Sequence, residues 1–591
     1  EYYNANGGGA TAVRNLMIAN LNDVSAIFEV ELAVEMYMAT GSPRLEQDIA
    51  NDPFDPSFGS RTQQAQNAVS SAFPLSRYDV GHVFHTHSSG DGWDTGGVAG
   101  LGVVCNDNRK ASGWSGSFNN TSNGWIQLAA HEFGHMYNAT HTYNGSGDSA
   151  CTPNITSSTS YEIGSGTTIM SYNGLCDSEQ NIPGSGVADN YFHINSLERM
   201  VNYLETSALC NEINWESDLN QEPTVNANPC DALYIIPRST PFMLTGEASD
   251  PDDDFLTYCW EQYDEDGFGT PSIGLIGQNA AFYNGACPLF RSFPPTANPT
   301  RYFPRLDNLA ANNNSDFEAL PRRSRSMRFR LTARDNNTES GGIDWDEVIV
   351  NVRNSGPLSV QAPTPGTIIQ AGTTMDVTWD TNTRAQDGTI CEKAVIKLST
   401  DGGLTFPLIL AEDVDYESGM ATVNVPASYP NTESARVMVA CDDYECFAFF
   451  DINNGNFTIE SNCFAPANLL CDDTEEEFDF GDQELNLDLN AIQGTSFNSL
   501  LGSIEDILST LPTMSPAVNN NTGTCTRINS INNPYLETRF SVTEPGTYTF
   551  TINNNINDNV TAYTIFDGDS FDPLDACSSF IESDAEFSNG N

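Results

Sequence analysis

The pattern of apolar and polar positions divides the chain near Cys210. Before that point, apolar residues recur at helical spacing over residues 10–26, around His131–His135 and over residues 193–204. Strict alternation over residues 30–38 and 79–87 predicts two strands between them. After Cys210 the helical period stops, and Pro, Asn, Asp and Thr separate short alternating runs at 255–262, 325–334, 345–352, 375–379, 394–399, 421–425, 435–440, 456–459, 537–542, 546–553 and 561–566. The turn Thr400-Asp401-Gly402-Gly403 reads as a hairpin signal. The expected fold class is multidomain: an α/β domain over 1–210, a linker over 211–229, then two or three all-β sandwich domains over 225–355, 356–460 and 461–591.

Length and charge narrow the classes. A chain of 591 residues is too long for one core. It carries 79 acidic and 24 basic residues, a formal charge of -55, and its only lysines are Lys110, Lys393 and Lys397. Such a surface repels nucleic acid and anionic membranes. No apolar run reaches 18 residues, so no membrane insertion is expected. Fourteen cysteines without a CxxC pair point to disulfides and an oxidising compartment.

The densest chemistry lies in His131-Glu132-Phe133-Gly134-His135-Met136-Tyr137-Asn138-Ala139-Thr140-His141. On a helix, His131 and His135 share one face and can reach one metal ion. Glu132 can lean over an open coordination position. A third ligand at His141 requires the chain to turn back, and Asn138 tolerates the left-handed conformation that ends a helix. His85 and His87 share a strand face and form a weaker candidate for a second metal. Asp250, Asp252 and Asp254 cluster before a strand and are candidate Ca²⁺ ligands, as is the acidic run 472–477.

HExxHxxNxxH resembles the HExxHxxGxxH signature of the metzincin metallopeptidases, with Asn138 in place of the usual Gly. The stretch from Tyr161 to Tyr172 resembles the Met-turn, with Met170 beneath the metal. Gly96 to Cys105 resembles the substrate-binding edge strand of the reprolysin (adamalysin) branch. The resemblance is to bacterial reprolysin-like peptidases over about residues 1–210. It implies that His131, His135 and His141 bind Zn²⁺, and that a zinc-bound water activated by Glu132 hydrolyses peptide bonds. It also implies that Gly100, Leu101, Gly102 and Val103 hold an extended peptide. Tyr172 is similar to a tyrosine of the astacin and serralysin branches that ligates zinc or contacts the reaction intermediate. We expect it to assist the oxyanion, with a packed aromatic as the equal alternative.

Cys151 and Cys176 bracket the Met-turn and are expected to staple it; the resemblance pairs Cys105 with Cys210. The fold it resembles has a strand before the first helix, so residues are expected to precede Glu1. Segment 225–355 resembles cadherin- and PKD-like modules, and 356–460 fibronectin or immunoglobulin types. The implied function is a secreted zinc endopeptidase, extracellular or on a bacterial cell surface. Its partners are a protein or peptide substrate and a cell surface or secretion system reached through the C-terminal domains. The alternative is a surface adhesin with a vestigial peptidase domain.

Overall fold

The computed structural model describes residues 2–39, 41, 43–45, 60–85, 96–116, 123–147, 150–183, 188–208, 210, 220–265, 274–282, 286–313, 315–338, 340–381, 391–427, 429, 431–444, 446–460 and the strand segments 482–485, 518–519, 526–527, 547–550, 560–566 and 580–587. His87, the segments 211–219, 266–267 and 472–477, the strand expected over 537–542, and Cys463, Cys471, Cys525 and Cys577 lie outside them. The chain forms two compact units, Glu1–Cys463 and Phe464–Asn591.

The first unit opens with α1 (Tyr2–Ala5), α2 (Ala10–Leu32) and α3 (Arg61–Ala72). A small sheet follows, made of β1 (His82–His85), β2 (Gly97–Ala99) and β3 (Gly113–Gly116). Helices α4 (Asn123–Met136) and α5 (Ile194–Thr206) complete this part. The strand order is β1-β3-β2, with β1 parallel and β2 antiparallel to β3, so β2 is an edge. One core unites Val24 and Phe28 of α2, Ala129, Phe133 and Met136 of α4, Leu197 and Met200 of α5, and Phe192 before it.

The strand expected over 30–38 is not formed. Leu21, Val24, Phe28 and Leu32 continue one helical face to the end of α2. Ala33 closes it in a left-handed conformation (φ 52°), with Ala33 N–H bonding Glu29 O and Val34 N–H bonding Phe28 O. The alternation seen in the sequence is the tail of a helix followed by an irregular segment.

The remainder of the unit is mostly β. One sheet has the order Tyr234–Pro237, Ile343–Arg353, Arg325–Arg334, Thr257–Gln262, and its central hairpin pairs without a break from Arg325↔Val352 to Arg334↔Ile343. A second sheet passes from Ile368–Gln370 through Phe457–Glu460, Thr432–Tyr444 and Phe447–Ile452 to Phe242–Thr245 and Thr300–Phe303. Segments 225–355 and 356–460, expected as separate sandwiches, therefore share a sheet. They also share one apolar core, from Phe242, Phe303 and Phe329 to Val377, Trp379 and Val437. Cys230 and Cys446 form a disulfide between the two segments, and Cys391–Cys441 lies within the second. The turn after Ser399 behaves as its composition implies. Gly402 and Gly403 take positive φ, Asp401 Oδ1 accepts from the amides of Leu404 and Thr405, and Lys393–Ser399 pairs antiparallel with Leu408–Asp415. In the second unit, Asp482–Leu485 pairs parallel with Thr547–Phe550, and Val560–Phe566 pairs antiparallel with Phe580–Phe587.

Within the first unit the helical part and the β part are not independent. Tyr263 and Ile343 belong to the same apolar cluster as α2, α4 and α5. Arg334 reaches Glu31 in α2 with two bonds (Nε to Oε1 2.6 Å, Nη2 to Oε2 2.9 Å) and also donates to Phe192 O, while Glu31 Oε2 accepts from Phe192 N. Both residues are buried. Glu261 Oε2 accepts from Ile194 N at the start of α5, and burial pushes its carboxyl up to about 7. Replacing Arg334 by Leu would strand the Glu31 carboxylate. We expect an unfolding free energy lower by about 3–5 kcal/mol and a reduced thermal midpoint, partly recovered when Glu31 is also replaced by Leu.

Candidate metal centre

Helical spacing sets the first two imidazoles. His131 and His135 lie one turn apart on α4, with ring centroids 4.7 Å apart and planes perpendicular. The helix ends at Met136, and Asn138 takes φ 83°, with its N–H on His135 O and Ala139 N–H on Gly134 O. That left-handed step reverses the chain and returns His141, whose ring lies 4.7 Å from that of His135 and 5.2 Å from that of His131.

Each ring is held by its Nδ1. His131 Nδ1 lies 2.7 Å from Ile169 O, His135 Nδ1 2.8 Å from Ala139 O, and His141 Nδ1 2.6 Å from Asn154 O. A carbonyl only accepts, so Nδ1 carries the proton in all three rings and Nε2 carries a lone pair. His135 Nε2 and His141 Nε2 face each other at 3.1 Å. Two acceptors at that distance are not a hydrogen bond; they repel unless a cation lies between them. Burial, and next the neighbouring imidazoles, hold His131 well below the ordinary histidine value and lower His135 to about 3; burial lowers His141. The donor set thus fits a transition metal: neutral, nitrogen-only and convergent, with ligand atoms within 4.8 Å of one another.

Glu132 is buried beside this centre, and desolvation pushes its carboxyl well above the usual range. Its Oε2 has no hydrogen-bond partner among the described residues. Glycine at position 97 makes room for it: a Cβ there would lie 2.5 Å from Glu132 Oε1 and 2.8 Å from Cδ. Met170 is fully buried under α4, where a Cβ on Gly134 would meet its sulfur at 2.5 Å. Tyr172 packs its ring 4.7 Å from that of His141 and stacks on Tyr143 at 4.6 Å. Burial, then the Glu132 charge, raise its phenol, which therefore keeps its proton. The disulfide Cys151–Cys176 lies beneath this stack, and Cys105–Cys210 ties the chain after β2 to the end of α5.

The edge strand sits earlier than expected. It is Gly97–Ala99, and Gly100, Leu101, Gly102 and Val103 follow it in an irregular bend. Gly102 N–H bonds His135 O and Val103 N–H bonds Met136 O, so these residues cap the open carbonyls at the end of α4. The three aspartates do not converge either. Asp250 Oδ1 accepts from the amides of Asp252 and Asp254, Asp252 from the backbone and side chain of Gln221, and Asp254 from Asn337. Among the described residues, the three histidines form the one metal-competent cluster of His, Cys, Asp or Glu side chains. His85 is buried at the end of β1, opposite Gly116. Two residues escaped the sequence reading of the site, Gly97 and Glu162. Gly97 lay within the stretch likened to the edge strand and Glu162 within the stretch likened to the Met-turn, but neither carried a spacing signal for a role of its own.

Residues 1–202 match the reprolysin-like metallo-peptidase family M12B. The reprolysin-like segment is about a third of the chain, and it contains all three imidazoles, Glu132, Met170 and Tyr172. Metallopeptidases of this family use zinc. No curated protein matches the chain. Structures that it resembles include the N-terminal four Ig domains of Dscam1 isoform 1.9 (11% identity, 40% of this chain and 45% of that one, TM-score 0.12). Others are Drosophila N-cadherin EC1-4 (12%, 41% and 49%, TM-score 0.13) and mouse Cadherin-23 EC22-24 (12%, 41% and 67%, TM-score 0.12). The chain spans less than half the length of the first two.

Gly97→Ala places a methyl group against the Glu132 carboxyl. We expect the displaced carboxyl to lower peptide hydrolysis at least about tenfold, with metal content by elemental analysis unchanged.

Proposed function

We propose that the protein is a secreted zinc endopeptidase in which Glu132 is the proton-transfer residue and β2 holds an extended substrate. The observation that carries this reading is the convergence of proton-free Nε2 atoms beside an unpartnered, buried carboxyl. His131, His135 and His141 would hold zinc through Nε2. The bound ion supplies Lewis acidity and lowers the pKa of water at its open position. Glu132 takes the proton of the attacking water at Oε2 and returns it to the leaving amine; burial raises its affinity for that proton. Gly97–Ala99, an edge strand of the sheet among the described residues, offers backbone groups to an antiparallel peptide strand. Tyr172, a neutral phenol, donates toward the carbonyl oxygen as negative charge builds there.

Four disulfides among the described residues support an extracellular site of action. In this reading the unit after residue 463 serves attachment to a cell surface or secretion system.

Glu132→Gln is expected to retain zinc while turnover of a casein or gelatin substrate falls by about 10²–10⁴. A chelator should stop the wild-type reaction and added zinc restore it. Chelator-insensitive activity, or zinc-free wild-type protein after loading, would overturn the reading. Tyr172→Phe is expected to lower kcat about 10–100-fold with zinc content and KM preserved; an unchanged kcat would remove the phenol from the mechanism.

A further inference from the structure

We propose that Glu162 is the positioning residue that locks the third imidazole to the floor of the metal centre. The proposal rests on the zinc reading above and deepens it.

Glu162 is 2% exposed and lies across from Tyr143 in a parallel bridge, with its N–H on Thr142 O and its carbonyl accepting from Asn144 N. Its side chain points the other way. Oε1 accepts from the hydroxyls of Thr142 and Thr168, and Oε2 accepts from the backbone amides of Thr167 (2.7 Å) and Thr168 (3.1 Å). Thr142 immediately follows His141. Thr168 immediately precedes Ile169, whose carbonyl fixes His131, and Met170 comes next. One carboxyl group therefore couples the segment that carries the third ligand to the turn that orients the first ligand and supplies the methionine floor. Thr142 N–H on Met170 O closes the same circuit through the backbone.

The partner set favours a carboxylate at this position. Four donors converge on two oxygens, so both oxygens must accept. A glutamine with its NH₂ toward the Thr167 and Thr168 amides would leave both unsatisfied; turned the other way, it would make the Thr142 and Thr168 hydroxyls acceptors and deprive their protons of this acceptor in a buried place. The local backbone has adapted to the group: Gly166 takes φ +65°, and a Cβ there would lie 2.9 Å from Glu162 Oε2. Glu162 touches no reacting atom. Its effect passes through the positions of His141 and Ile169, as groups that orient metal ligands act in general.

The test uses the full chain. Zinc affinity is measured by competition with a chromogenic chelator, and ligand geometry by the visible absorption of the Co²⁺-loaded protein, for wild type, Glu162→Gln and Val437→Ala. Glu162→Gln is expected to weaken zinc binding about 10–100-fold and to shift the Co²⁺ bands. At saturating zinc, kcat should fall with KM unchanged. Val437→Ala, which weakens the apolar core of the β part, should lower the thermal midpoint and leave both metal readouts as in wild type. If Glu162→Gln loses stability but keeps the wild-type zinc affinity and cobalt spectrum, the residue is structural only and the proposal fails. If Glu162→Gln does not fold, Thr168→Val removes one donor and should move both readouts in the same direction by less; an unmoved spectrum there also overturns the proposal. Wild-type protein that binds neither ion overturns the zinc reading itself, a result distinct from both.

Discussion

Three hydrogen bonds from imidazole Nδ1 to backbone carbonyls govern the rest of the molecule's chemistry. Each fixes a tautomer, and together they leave unprotonated Nε2 atoms pointing at one place. The carbonyls come from three different stretches: Ile169 in the turn before Met170, Ala139 just after α4, and Asn154 in a short helical turn stapled by Cys151–Cys176. The sites of these acceptors explain why so much chain is devoted to loops here. A helix alone could align His131 with His135, but only the loops can choose which nitrogen each ring offers.

The β part of the first unit takes part in that choice at one remove. Phe192 backs Met170 and Gly134, and its own N–H and carbonyl are gripped by Glu31 and Arg334. Arg334 sits in the long central hairpin of the first sheet, 303 residues from Glu31. Tyr161, in the stretch that leads to Met170, stacks on Tyr263 at 4.3 Å, and the Arg330 guanidinium lies 3.5 Å above Tyr263. The floor of the metal centre is therefore pressed from below by the sheet.

Legibility in the sequence followed the range of the interactions. The ligand spacing, the left-handed Asn138 and the Gly402-Gly403 turn were readable because each is set within a few residues of chain. Strands 325–334 and 375–379 were readable because alternation survives when one face is buried. The tail of α2 was misread because Val30, Leu32, Val34 and Met36 alternate, while the partner that buries Glu31 is encoded far downstream. Pairing of Phe447–Ile452 with Phe242–Thr245, which merges two expected sandwiches, leaves no local trace. Sequence spacing grouped the three aspartates but could not show that backbone amides bond Asp250 Oδ1, nor that the three carboxylates do not meet as one cluster.

Buried acids provide a final internal comparison. Glu31, Glu162, Glu261, Asp264, Glu318 and Asp335 are all buried, and every one accepts hydrogen bonds from identified donors. Glu132 is equally buried but accepts none from the described residues, and its Oε2 stands open. An unsatisfied buried polar group costs about 1–3 kcal/mol, so a fold that gives each of these other interior carboxyls at least one donor would be expected to supply one here as well. It does not, and the glycine at 97 keeps the space around it clear. A satisfied carboxyl would be a structural anchor like Glu162; one left bare beside three lone pairs is available to a proton in transit.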